Sequence, residues 1–187
     1  MKGYFTASRW FERQDLVLRI YEELEKGGIE HTSAYVTEIQ KHLKGGWSDE
    51  YYKKFYSDHL QAVVKAQICF FEVSEPSIGL GQVLQEAVRR EKPVVGFWYK
   101  GCKEPFLFMG MSDEENRVLR YEYSENNLEE VVEYAVEMVR ELLTVRFTML
   151  LPSEYNQYLD KVHEDRGISR SDYLRNLIKK DMESEVK

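Results

Sequence analysis

The residues best placed to do chemistry lie between Ile68 and Ala87, in the segment ICFFEVSEPSIGLGQVLQEA. Ile68 to Phe71 reads as a strand buried on both faces, and it feeds directly into a Ser/Pro/Gly turn that opens a helix. Ser74 and Ser77 supply hydroxyls in that turn. Gly79 and Gly81 let backbone N–H groups approach a ligand at the start of the helix, where the aligned peptide dipoles favour an anion. The expected ligand therefore carries a phosphate or a similar group. Arg9, near the end of the opening strand, is either an exposed charge or a guanidinium able to hold an anion in bidentate fashion.

A second informative segment runs from Arg146 to Met182. Arg146 to Pro152 alternates with period two, which puts Phe147, Met149 and Leu151 on one face of a short strand. Pro152 then sits where a helix can begin. Tyr158, Leu159 and Val162 have helical spacing within Ser153 to Arg166. Gly167 follows as a stop, and Ser169 with Asp172 three residues on forms the start of a second helix.

The elements that must position these groups alternate along the chain. The pattern predicts strands near Lys2 to Thr6, Glu30 to Val36, Ile68 to Phe71, Pro93 to Tyr99 and Arg117 to Tyr123. Helices are expected near Arg13 to Lys26, Asp49 to Ala66, Leu80 to Arg90 and Leu128 to Leu143, with an extended stretch at Pro105 to Met111. Such alternation predicts an α/β fold, a parallel sheet with helices on both faces. Lys44 to Ser48 and Ser112 to Asn116 are expected to be mobile loops. Aromatics gather around the expected pocket, and Trp10 and Trp47, both in expected loops, are the best placed to stack on a ligand. Filling a core is the alternative role for most of the others.

EVSEPSIGLG, at Glu72 to Gly81, is similar to the EVSxPSxGxG signature of the nucleoside 2-deoxyribosyltransferases and 2′-deoxynucleoside 5′-phosphate N-hydrolases. Those enzymes exchange or break the N-glycosidic bond of deoxynucleosides or their monophosphates. The resemblance extends to Gly3-Tyr4-Phe5-Thr6-Ala7-Ser8, to Ser48-Asp49-Glu50 and to Lys92-Pro93-Val94-Val95, and spans residues 1–143. It implies a flavodoxin-like strand order and a ligand site at Ser8, Arg9, Ser74, Ser77, Gly79 and Gly81. The family's nucleophilic glutamate, two residues past the last glycine, is Val83 here, and an isopropyl group cannot attack an anomeric carbon. The family's aspartate before the buried strand is Gln67, its Thr-Glu-His element reads Thr32-Ser33-Ala34, and the Ser-x-Arg-Gly-Gly segment of the N-hydrolases reads Ser8-Arg9-Trp10-Phe11. Bulky Trp10 and Phe11 are expected to narrow or cover the pocket. Two fallback carboxylates remain. Glu86 lies about 4 to 5 Å further along the helix than Val83, and Glu72 stands at the mouth of the site, where it is either functional or an acceptor for loop N–H groups.

LLPSEYNQYLDKVHEDRGISRSDYLRNLIKK, Leu150 to Lys180, resembles a ribbon-helix-helix domain, so residues 146–187 form the expected second domain. One such unit cannot bury its own apolar face, which predicts a homodimer or higher assembly. The resemblance implies Arg146, Thr148 and Leu150 as readers of DNA bases and Ser169, Arg170 and Ser171 as a phosphate clamp. Leu150 can meet only a thymine methyl. From Arg146 to Lys187 eight Lys/Arg balance eight Asp/Glu, so the formal charge of −7 sits on the rest of the chain. A neutral module gains little from phosphate neutralisation, which keeps pure dimerisation open as its role.

Composition and cysteine usage complete the expectations. Hydrophobic residues make up 43% of the 187, ample for a packed core, and no apolar run approaches the span of a bilayer. The start of the chain does not read as a signal peptide, so the expected location is cytoplasmic, with no membrane partner. Cys69 and Cys102 lack metal spacing, and His31, His42, His59 and His163 are scattered. No metal and no cofactor are expected, and each histidine reads as a surface or helix-flank residue. Three readings stay open: a non-catalytic, nucleoside- or nucleotide-responsive regulator that binds DNA; an N-glycosidase or deoxyribosyltransferase using Glu86 or Glu72; and a structural dimer.

Overall fold

In the computed structural model, residues 1–42, 48–111, 117–143 and 149–185 are described, with backbone alone for 39–42, 51, 106, 107 and 185. The chain divides into two compact units, 1–145 and 146–187. The first is built on five parallel strands: β1 (Lys2–Ala7), β2 (Glu30–His31), β3 (Ile68–Glu72), β4 (Val94–Tyr99) and β5 (Val118–Tyr123), in the order β2-β1-β3-β4-β5. That order is the flavodoxin-like one. The α/β architecture expected from the alternation is present.

Period-two alternation sorts the strands' side chains onto two faces. Tyr4, Cys69, Phe71 and Val94 pack against α3 (Asp49–Lys65) and α4 (Ile78–Arg89), while Phe5, Phe70, Val95 and Phe97 pack against α1 (Gln14–Lys26) and α6 (Leu128–Leu142). The register pairs Tyr4 with Cys69 and Phe5 with Phe70, so the two faces stay in step across the sheet. All five residues of β3 are buried, as a strand covered on both sides must be.

Two expected extended segments are helical instead. The strand expected over Glu30 to Val36 stops at His31, whose ring stacks on Tyr21 with centroids 3.6 Å apart. The Ser33 hydroxyl then accepts from the Tyr35 amide and starts α2 (Tyr35–His42). The stretch at Pro105 to Met111 forms a one-turn helix, α5 (Phe106–Met109). β4 and β5 are direct neighbours in the sheet, so this connection has no strand to pair with. It crosses the sheet face instead and lays the Phe108 ring over Gly96. Lys44 to Trp47 and 112–116, expected as mobile loops, lie outside the described residues.

In the second unit, α7 (Ser153–Arg166) ends at Gly167, which takes the left-handed conformation at φ 66° and donates its amide to the His163 carbonyl at 2.9 Å. α8 (Arg170–Glu185) is capped by the Ser169 side chain. The Ser169 hydroxyl donates to Asp172 at 2.7 Å and accepts the Asp172 amide at 3.1 Å. Tyr158 and Tyr173 join the two helices through their hydroxyls at 3.0 Å. Of the expected strand, 146–148 lie outside the described residues and Met149–Pro152 is not in a strand.

A methyl group at Gly96 would overlap the Phe108 ring, so Gly96→Ala is expected to cost about 1–3 kcal/mol by overpacking. Gly79, with nothing within 4 Å of an added Cβ, is the control: Gly79→Ala should be neutral or stabilising by up to about 1 kcal/mol in the same urea titration.

Candidate functional site

At the carboxyl ends of β1 and β3, where the strand order reverses, a cleft of about 1320 Å³ opens between α3 and α4. Its floor is Tyr4, Thr6 and Ala7 at the end of β1. α3 presents Tyr52, Phe55, Tyr56 and His59 to it, a stripe at helical spacing i, i+3, i+4, i+7. α4 presents Gly79, Val83 and Glu86 along the opposite wall, with Arg90 as its C-cap at the far end. Sequence reasoning missed Tyr35, Phe55, Tyr56 and His59, although the stripe was legible once Asp49 to Ala66 was read as a helix.

The turn before α4 is set by Ser77, whose extended backbone and side chain form the N-cap, with Oγ accepting from the Leu80 amide at 3.2 Å. The Gly81 amide bonds the Ser77 carbonyl at 3.0 Å. The amides of Ile78 and Gly79, the first two of the helix, have no intrahelical acceptor, and both residues line the cleft. Of the predicted ligand residues, Ser77, Gly79, Gly81 and Arg9 come together here. Ser74 does not. Its hydroxyl donates to Glu72 and accepts the Tyr99 amide at 2.6 Å, which commits it to holding β3 to β4. Ser8 is likewise buried and takes the Trp10 amide at 3.3 Å. Arg9 lies over the exposed Trp10 ring, 4.3 Å from its centroid. Trp10 borders the cleft, whereas Phe11, expected to cover it, is buried in the core against α1 and α6. Trp47 lies outside the described residues.

Val83 is half-buried in the α4 wall, so the position opposite the aromatic stripe carries no charge. Glu86, one turn on, lines the cleft, but its carboxylate is bound by Arg89 at 2.9 Å and Arg90 at 2.6 Å. These guanidiniums hold it below the ordinary carboxylate range. Glu72 is not at the mouth. It is fully buried, alternates with Phe71 to the face covered by α1 and α6, and accepts from Ser74 and from the Tyr123 hydroxyl at 3.1 Å. Its Oε2 has no partner among the described residues, and burial pushes its pKa up to about 7. Gln67 is structural as well, its side chain accepting the Lys2 amide at 2.9 Å.

His59 corrects the expectation of a surface histidine. It is 8% exposed, with Nδ1 3.0 Å from the Tyr4 hydroxyl and the rings of Tyr35 and Phe55 at 4.7 and 4.2 Å. Burial lowers its pKa to about 4, so the ring is neutral near pH 7.

In the second unit Ser169 caps α8, and Arg170 pairs with Asp160 and donates to Asn156 at 2.9 Å. Ser171 is exposed and Leu150 is 98% exposed. Arg146 and Thr148 lie outside the described residues. Among the described residues no three His, Cys, Asp or Glu converge as metal ligands, and no helix is long and apolar enough to cross a membrane.

No protein-family model matches the chain, and no curated protein sequence does. Among solved structures, the CMP N-glycosidase of Clostridium botulinum is similar, with a TM-score of 0.47 and 12% identity over 74% of this chain and 99% of that one.

The Glu72 carboxyl gives a pH signature. Because its folded pKa of about 7 lies above the unfolded value near 4.5, the folded state holds a proton that the unfolded state has lost between those values. The contribution of this carboxyl to stability is therefore full below about pH 4.5 and falls by roughly 1 kcal/mol per pH unit up to about pH 7. Urea titrations at pH 5, 6, 7 and 8 should show this slope in the parent protein and its loss in Glu72→Gln.

Proposed function

We propose that the first unit is a receptor for a nucleoside or nucleotide, which it binds without cutting, and that the second unit is a dimerising, ribbon-helix-helix-like module through which binding is relayed to DNA. One observation carries the receptor reading. The aromatic stripe of α3 faces the capped, glycine-opened start of α4 across a single cleft. A flat ring stacks on the first, and an anion is favoured at the second, where unpaired amides and the helix dipole meet it. Arg9 at the rim adds a cation on the same side as Trp10.

The absence of cutting follows from the same walls. In-line attack at an anomeric carbon needs a carboxylate beside the sugar, but Val83 occupies that stretch of α4 and the Glu86 oxygens are engaged by two arginines. Glu72, the carboxyl best able to carry a proton near neutral pH, faces the other side of the sheet. In the second unit, the helix, left-handed glycine turn and capped helix support the ribbon-helix-helix reading. Exposed Leu150, Ile178 and Met182 are the apolar surface that a second copy would cover. The second copy would also supply the partner strand that one chain lacks.

Calorimetric titration with a panel of nucleosides and their 5′-monophosphates is expected to show saturable binding and no release of free base. Gly79→Val, which fills open space at the anion end, should weaken monophosphates at least about tenfold while sparing nucleosides. Base release abolished by Glu86→Gln would replace this reading with an enzyme. A salt-dependent DNA mobility shift lost in Arg146→Ala with Arg170→Ala is expected of the second unit, and its absence would leave dimerisation alone.

A further inference from the structure

The polar groups at the base of an apolar cleft decide which ring can settle there. His59 is such a group, and its chemistry is set by a residue beneath it. Tyr4 is fully buried, which raises its phenol well above the ordinary value, so it keeps its proton. Among the described residues His59 is the hydrogen-bond partner of the buried Tyr4 hydroxyl, and a buried O–H left undonated is costly, so the Tyr4 O–H donates to His59 Nδ1 at 3.0 Å. A neutral imidazole that accepts at Nδ1 carries its own proton on Nε2. Tyr35 and Phe55 pack edge-on against the ring and fix its plane. Nε2 has no partner among the described residues, and the ring lines the cleft.

We propose that His59 reads the ligand's heterocycle. Its Nε2–H donates to an acceptor on the ring edge, so the cleft selects rings that present a carbonyl oxygen there over rings that present an amino group, with Tyr4 as the positioning residue. The proposal rests on the receptor reading above. An amino group facing Nε2–H would set two donors against each other in aromatic surroundings, and neither could find an acceptor. Buried polar groups left unpaired in this way discriminate strongly between near-isosteric ligands.

The test uses two pairs of 5′-monophosphates that each exchange a carbonyl for an amino group, dUMP with dCMP and dIMP with dAMP, titrated into the full chain. In at least one pair the carbonyl member should bind about tenfold more tightly or better. His59→Phe keeps an aromatic ring without the donor, and should bring that ratio to within about twofold by weakening the carbonyl member. Tyr4→Phe frees Nδ1 and lets either tautomer form, so the amino member should gain affinity and the ratio narrow. A purely structural role would weaken both members equally. If His59→Phe fails to fold, Tyr4→Phe decides. A ratio near one in the parent protein, or a ratio unchanged in the variants, overturns the assignment while leaving the receptor reading intact. Absence of binding by all four overturns both.

Discussion

A strand covered on both faces has no surface along its length for chemistry, and β3 is such a strand from Ile68 to Glu72. Its side chains are consumed by packing, Phe70 to one layer and Phe71 to the other. Polar work is pushed to where the strand ends. Because the chain leaves β1 toward β2 on one side and leaves β3 toward β4 on the other, the connections run in opposite directions and a gap opens between them. The cleft, the capped start of α4 and the α3 stripe all follow from that reversal.

The same alternation separates two carboxylates that are near neighbours of one turn in the sequence. Glu72 follows Phe71 onto the face of α1 and α6, and there Ser74, Tyr99 and Tyr123 build a buried network around it. Removal from water makes its proton harder to lose. Glu86, on the cleft side, meets the opposite electrostatics, because Arg89 of its own helix and the C-cap Arg90 stabilise its charge. One carboxyl has a useful pKa in a sealed place, and the other has access with its oxygens already occupied.

Much of the architecture was legible because it depends on local patterns. Alternating apolar strands and amphipathic helices marked the parallel sheet, and Gly167 with Ser169 and Asp172 marked the turn between α7 and α8. Two segments misled for identifiable reasons. Tyr35 and Val36 are good strand formers, yet the Ser33 side chain starts a helix at Tyr35. Pro105 to Met111 is apolar enough for a strand, yet the sheet has no place for it between β4 and β5. In the site, Ser77, Gly79 and Gly81 were legible because a cap and an open turn are properties of a few consecutive residues. Ser74 carried the same signature and serves the framework instead. His59 was overlooked because one histidine on a charged-looking helix gives no local sign of what it packs against.

The amino-acid sequence by itself determined which segments become strands and helices, where α4 begins, and that an apolar residue, Val83, follows two positions after Gly81. These are matters of period, capping and side-chain chemistry, which act over a few residues. Only the tertiary structure decided that Glu72 faces away from the cleft and that the hydroxyl of Tyr4, 55 residues from His59, meets its Nδ1. Burial and hydrogen-bond partnership are set by residues brought together across the sheet, and no window of the chain contains both members of such a pair.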